Sequence, residues 1–490
     1  MKKRILSCLL ALTMAGSLLA GCGKEGNGEE QQKTEQEAVN NQESVAESDQ
    51  ESEQTDQEVE PEPVTIVIGG WPEEDSVNYE VKENQRKEFM DKHPWITVET
   101  STYIYGVDSF LPLAASGQLP TIYGTYFTDV EKIINAGYAA DITDGLNKYG
   151  MLEPMDEGIK DIVSDDNGRV YALPWNAYAM GLVCNVALFK EAGLVDAEGY
   201  PILPTTWDEV LQSAIAIKEK TGKVGFAMPT TDHGGWLFTN LVWCFGGDFE
   251  EQVDGKWKAI FDSEEAVAAL SYMKDMKWKY DVIQPDVSQN IVGSWSLLGS
   301  DQAGMCMSAL SHSTDIITST EMTKDGLAMT TIPAGPGGKY AQMGGGVLMV
   351  SANSTEEQID AALLWLSESE YAPFVDEDTI KRSEEYYQVN VEKGLVVGPK
   401  SLTIWDAGEL YEKDAELRAK YCNVDMKLWE AYSDHVSEGL KPEPAVNAQE
   451  LYSSLNNVLQ EIFTNENADC QAVLSEAAAN FQSDYLDSAK

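Results

Sequence analysis

An α/β fold is what this sequence predicts, on three observations. The folded part opens with a strand–helix–strand unit, the grammar of a parallel sheet. After it, helices with recognisable caps alternate with short apolar runs. Residues 64–490 also exceed what one compact core usually takes, so two lobes are expected.

The elements follow in order. Val64-Thr65-Ile66-Val67-Ile68 is a continuous apolar run ended by Gly69-Gly70, and so reads as a buried strand. A helix-permissive stretch runs to Phe89 and Met90, stops before His93-Pro94, and yields to the extended Ile96-Thr97-Val98-Glu99. Thr206-Trp207-Asp208-Glu209 is a capping box, with Val210, Leu211, Ala214 and Ile215 on the inward face and Gly222 as the stop. Asp262 with Glu265, and Ser354 with Glu357, predict two more helix starts by the same device. Val347-Leu348-Met349-Val350 reads as a buried strand. Two helical patterns close the chain, around residues 451–462 and 472–486.

The first residues are of another kind. Met1-Lys2-Lys3-Arg4 is a positive head, and residues 5–19 are apolar but interrupted by Ser, Thr and Gly. That is the build of an export signal, too short and too broken to span a bilayer stably. Its end, Leu19-Ala20-Gly21-Cys22, resembles the bacterial lipobox. The resemblance implies a signal peptide over 1–21 and a mature N terminus at Cys22 whose sulfur carries diacylglycerol. Two acyl chains, at about 0.8 kcal/mol per buried methylene, hold a protein on a membrane where one is marginal. Residues 23–63 contain 14 acidic and two basic side chains, and no Leu, Ile, Met, Phe, Tyr or Trp. Such a segment cannot bury enough apolar surface to offset its ordering entropy, so 22–63 is expected to be an extended tether.

The net charge of −48 resides mostly in the body and argues against nucleic acid or anionic lipid as partners. Cys184, Cys244, Cys306, Cys422 and Cys470 are odd in number and lack metal-type spacing. The first three lie in apolar surroundings and read as buried small hydrophobes.

Several segments, in order, resemble the extracellular solute-binding proteins of ABC importers, the family 1, maltose-binding-protein-like group. They are Leu113-Ala114-Ala115-Ser116-Gly117-Gln118-Leu119-Pro120, then Ala140-Asp141-Ile142-Thr143, then Gly168-Arg169-Val170-Tyr171-Ala172-Leu173-Pro174. Gly181-Leu182-Val183-Cys184-Asn185 and Leu188-Phe189-Lys190-Glu191-Ala192-Gly193-Leu194 follow, with Cys184 where the family usually has Tyr. Residues 204–209, Ala303-Gly304-Met305 and Gly344-Gly345-Gly346-Val347 complete the likeness, with Gly304 where Ala is usual. The resemblance implies a two-lobed type II binding-protein fold with crossover hinge strands. Lobe 1 is expected over 64–176 plus 345–393, and lobe 2 over 181–331 plus 400–490. It also implies a monomer on the outer face of the cell membrane, a small solute, most simply a carbohydrate, and ABC permease subunits as partners. No cofactor is expected.

A sugar has C–H faces that stack on flat rings and a fringe of hydroxyls that seek polar partners. Trp71, with Glu73, follows the first strand where open α/β sheets bind ligands, although a core plug over the strand end is an equal reading. The family likeness puts Tyr126 on a cleft loop and Trp175, Asn176 and Tyr178 in the first crossover. It also puts His233 and Trp236 on a second-lobe loop, and Ser311 and His312 on another. Trp243 reads as helix-face core. Gly345, with its neighbouring glycines, allows either a close backbone approach to ligand or a flexible hinge. His233 and His312 lack a third ligand at metal spacing. Nucleophile-elbow, zincin and phosphate-loop motifs are missing, so a binding protein is expected rather than an enzyme. A sensor or adhesion lipoprotein, or a receptor for another solute, is the competing expectation.

Overall fold

The alternation at the start of the body forms the strand it predicts. In the computed structural model, which describes residues 62–74, 79–374, 377–444 and 446–487, β1 (Val64–Ile68) pairs in parallel with β2 (Ile96–Thr100). The helix Tyr79–Lys92 connects them. β3 (Ile122–Tyr126) lies parallel on the other side of β1. The export signal, Cys22 and nearly all of the acidic tether lie outside the described residues.

Two long strands organise the rest. β4 (Ala172–Asn185) runs on through the sequence into β5 (Val224–Ala227), the hairpin β6 (Glu250–Val253) and β7 (Lys256–Ala259), β8 (Ala303–Ala309) and β9 (Leu327–Thr331). β10 (Ala341–Val350) and the short β11 (Leu440–Lys441) follow. The C-terminal half of β10 lies antiparallel between β3 and the N-terminal half of β4, giving the order β2-β1-β3-β10-β4. The C-terminal half of β4 instead lies between β8 and β9, with β5 parallel to β8 beyond. β4 is thus shared by two sheets, and its pairing with β10 forms the ribbon between them. This is a two-lobed type II architecture joined by crossover strands.

The ribbon carries an irregularity with consequences. Gly346 faces Asn176 but Val347 faces Pro174, so Trp175 is the extra residue of a β-bulge. Asn176 Oδ1 accepts the Gly346 N–H at 2.6 Å and holds the bulge. The three glycines here are extended, so space and not dihedral freedom explains them. A Cβ on Gly344 would stand 2.4 Å from the Tyr178 hydroxyl, and one on Gly346 2.4 Å from the Trp175 indole. A Cβ on Gly345 would meet the Asn176 carbonyl at 2.2 Å.

Helix caps appear with a small shift. Thr206 and Glu209 form the expected box, closed by left-handed Gly222. The other two starts lie one residue later, at Ser263 and at Thr355 with Gln358. The Asp262 carboxylate instead accepts the Ser475 hydroxyl at 3.1 Å, while Ser263 accepts from the Ala266 N–H. Thr355 is as good an acceptor as Ser354, and Gln358 returns the hydrogen bond. The closing helices are Ala448–Thr464 and Cys470–Phe481. The first packs on the helix Gly234–Phe245, where a Cβ on Gly235 would come within 2.2 Å of the Tyr452 carbonyl.

Residues 402–421 pack on the segment 154–156 and on the helix Glu377–Glu392. Asp156 N–H donates to the Ile404 carbonyl at 3.0 Å, and Met155 bridges to Trp405. Tyr421 stacks on Tyr387, so the helix Glu409–Lys420 stands against the helix Glu377–Glu392. This stretch therefore packs on elements assigned to lobe 1. Cys184, Cys244, Cys306 and Cys470 are buried and free; Cys422 is exposed and free.

Gly346→Ala should force the indole off its seat and cost about 1–3 kcal/mol, the usual range for overpacking. Urea unfolding with indole emission measures it; an unchanged midpoint and spectrum would contradict the close seat.

Candidate functional site

The bulge turns Trp175 out of the ribbon, leaving it 44% exposed on the wall of a cavity of about 720 Å³. Tyr178, three residues on along β4, lines the same space, as do Gly345 and Gly346 of β10. Tyr126, the last residue of β3, adds a half-exposed ring whose inner edge meets Tyr105 at 5.9 Å. From helical segments beside the β8 and β9 side of the ribbon come His233, Trp236, Trp295 and His312. The helix Ala448–Thr464 contributes Gln449, Tyr452, Ser453 and Asn456. Ring faces and hydrogen-bonding groups thus converge from both sides of the crossover.

Trp236 is held in the first turn of its helix by two preceding glycines. The Gly235 N–H donates to Asn456 Oδ1 at 2.8 Å, locking this turn to the C-terminal helix. His233, left-handed at φ 60°, sets its imidazole edge-on to Trp236 at 5.6 Å. Tyr178 meets the same indole at 6.0 Å in a T-shaped contact. His233 also pairs with Asp232 at 2.6 Å; both are well exposed, so the pair contributes little stability.

His312 lies 4.6 Å from the Trp295 ring. Ser308 Oγ accepts the Trp295 Nε1–H at 3.1 Å and stands 3.0 Å from His312 Nδ1. The Ala309 N–H also points to Nδ1, at 3.4 Å. Nδ1 is therefore assigned as the acceptor and Nε2 as the N–H that can donate. Burial holds the imidazole below its ordinary pKa, favouring this neutral form.

Glu443 is the charged centre of the floor. Its Oε1 accepts from Trp236 Nε1 at 3.1 Å, from Tyr452 at 3.0 Å and more weakly from Gln342 at 3.4 Å. Burial nevertheless dominates, and pushes the carboxyl up to about 7. The three donors and the surrounding rings orient a group that is partly protonated near neutral pH, able both to donate to and accept from a ligand hydroxyl.

Of the eleven ligand residues expected from sequence, eight line the cavity: Tyr126, Trp175, Asn176, Tyr178, His233, Trp236, His312 and Gly345. Ser311 is exposed and not part of the lining. Trp71 is not in it either: its indole is buried against Trp365 at 6.3 Å, in a core shared with Phe89. The core reading of Trp71 is the one observed, and Glu73 beside it is exposed outside the cavity. Trp243 is likewise core, its Nε1 donating to Asp248 at 3.0 Å. Sequence reasoning missed Glu443, Trp295 and the C-terminal helix residues. The spacing Gln449, Tyr452, Ser453, Asn456 is one helical face, a polar stripe that could have been noticed.

A larger cavity, about 1050 Å³, is lined by Glu131, Asp156, Asp161, Asp165 and Asp166 but by no Trp or Tyr. Its one aromatic ring is Phe127, it shares Glu443 with the smaller cavity, and its charged side chains are all acidic. The smaller aromatic cavity is therefore the better candidate.

Below neutral pH the proton on Glu443 should stabilise the fold. Its folded pKa lies above that of the unfolded chain, so the contribution is complete below about pH 4.5 and is lost as pH rises through about 7. Glu443→Gln removes this dependence, and melting curves of both proteins across that window should converge at the acid end. Parallel curves would refute the assignment.

Comparison with known proteins accords with this geometry. The family profile described as bacterial extracellular solute-binding protein matches residues 71–372. An arabinooligosaccharide-binding protein of Halalkalibacterium halodurans is 26% identical over 118 residues, 24% of this chain and 24% of that protein. The chain thus spans about a quarter of that relative's length. Maltose-bound MalE3 of T. maritima superposes with a TM-score of 0.59 at 20% identity, covering 86% of this chain and 99% of that one. The cyclic alpha-maltosyl-1,6-maltose binding protein of Arthrobacter globiformis gives 0.61 at 21% identity, covering 86% and 98%. These two likenesses are of fold. With the profile covering more than half its length, this chain belongs to the bacterial extracellular solute-binding protein family.

Proposed function

We propose that this protein captures an oligosaccharide between its lobes and delivers it to an ABC permease, moored outside the cell through acylated Cys22. The observation that carries the saccharide reading is the cavity wall: Tyr126 and Trp175 present exposed rings, Tyr178 and the largely buried Trp236 line it behind them, and His312, Glu443 and Asn456 add polar groups to the same lining. Aromatic faces bury sugar C–H groups, and the polar groups fix the hydroxyls. The sugar-named relative and the two sugar-named structures support the same choice of solute class.

Capture on this reading is a population shift. Contacts to both lobes coexist only when the cleft is closed, so ligand favours closure, and the permease reads that state. The lobe division we propose is 64–176 plus 345–393 for lobe 1 and 181–331 plus the C-terminal segment for lobe 2. We assign residues 402–421 to lobe 1 in this division, which their contacts with 154–156 and with the helix Glu377–Glu392 support. The lipobox-like residues and the acidic run support an anchored, extended tether. Among the described residues no helix is long and apolar enough to cross a membrane.

Titration calorimetry over a panel of glycans, peptides and polyamines tests the solute. At least one glycan should bind, and Trp175→Ala should weaken it by about 1–3 kcal/mol. Because the indole is half exposed, the empty variant should melt within a few degrees of the wild type. Binding of peptides or polyamines with every glycan silent would end the saccharide reading. Cys22→Ala, followed by fractionation, tests the anchor: release of the protein into the medium is expected, and undiminished membrane association would remove it.

A further inference from the structure

Trp175 and Asn176 belong to two cavities, not one. Past the indole lies a second space of about 670 Å³ whose wall includes Tyr386, Tyr387, Trp405 and Tyr411. These four come from residues beyond 372, where the family match ends, so the space is built by a part of the chain outside that match. Tyr386 is 63% exposed and presents a ring with an open face. Its neighbours are fixed. Tyr387 donates to Asp414 and stacks on Tyr421, with ring planes only 8° apart. The Tyr411 hydroxyl takes a hydrogen bond from Lys400 Nζ at 3.3 Å.

The chemistry of this wall repeats that of the first cavity. Flat rings recur in it, with Trp405 mostly buried behind the others, and the Arg382 guanidinium also lines it. Its carboxylates are engaged, Asp414 by Tyr387 and Glu370 by Lys82, so a solute seated on the outer face of Trp175 meets more ring surface in one direction and no free carboxylate. The acidic cavity offers no comparable surface.

We propose that this second space is an extension subsite for the same saccharide. A chain too long for the first cavity passes over Trp175 and rests on Tyr386 and Tyr411. The inference rests on the saccharide reading above, and it makes the preferred ligand a long linear oligosaccharide. The shared indole becomes the step between the two halves of the groove.

The test uses the whole exported protein and two probe ladders, linear arabino-oligosaccharides and malto-oligosaccharides, from disaccharide to octasaccharide. In the ladder that binds, affinity should rise with length and then level off. Tyr386→Ala and Tyr411→Ala should each weaken the longest members about tenfold, as loss of a ring anchor does. Both variants should leave the disaccharide affinity unchanged, with circular dichroism confirming that each is folded. Equal affinity for all lengths, or an equal loss at every length, would overturn the extension while leaving saccharide binding intact. Silence of every member of both ladders toward wild type, with another solute bound, would overturn the saccharide reading and the extension with it.

Discussion

Everything in the site depends on the bare backbone that three glycines give β10 where it pairs with β4. Paired strands keep their hydrogen-bonded spacing and carry side chains above and below the sheet, so Cβ atoms at Gly344 and Gly346 would stand where the rings now lie. Here the missing Cβ atoms of Gly344 and Gly346 are replaced by Tyr178 and Trp175, each lying on bare backbone. The bulge at Trp175, pinned by Asn176, then turns the larger ring toward the cleft. One stretch of backbone thus joins the lobes and presents the platform. Beside the two uses expected of these glycines, a backbone approach to ligand or a hinge, they make room for side chains of the opposite strand.

Electrostatics complete what packing begins. A carboxyl placed among Tyr178, Trp236 and Tyr452 loses more from desolvation than its three donors return, and its pKa rises. His312 responds to burial in the other direction and stays neutral. The floor of an otherwise very acidic protein is therefore only weakly charged at neutral pH. A further carboxylate, Asp232, lines the cavity but is paired with His233. The overall charge of −48 belongs to the surface and tether, and says nothing of the pocket.

Stability and recognition are divided between similar residues by position alone. Trp71, Trp207 and Trp243 are buried, and Trp175 is open, although all four are tryptophans near strand or helix ends. Trp71 follows a strand at the place where ligands commonly bind, yet Trp365 and Phe89 reach across to cover it. Trp175 lies instead on the bare backbone of Gly346, which leaves its ring open.

Local chemistry was enough to read much of this protein from sequence. The run Val64–Ile68, the Thr206–Glu209 box and the terminal helices were legible because strand alternation and capping act within a few residues. Ordered motifs identified the family, and with it Trp175, Tyr178, Trp236 and His312 as cavity residues. The acidic tether and lipobox resemblance likewise belong to sequence alone. Tertiary structure decided the remainder. It moved two caps by a residue, placed 402–421 against 154–156, buried Trp71 and selected Glu443 from 82 acidic side chains. Each of these outcomes depends on what a distant segment brings into contact, and desolvation and close packing are properties of assembled neighbours that no local pattern encodes.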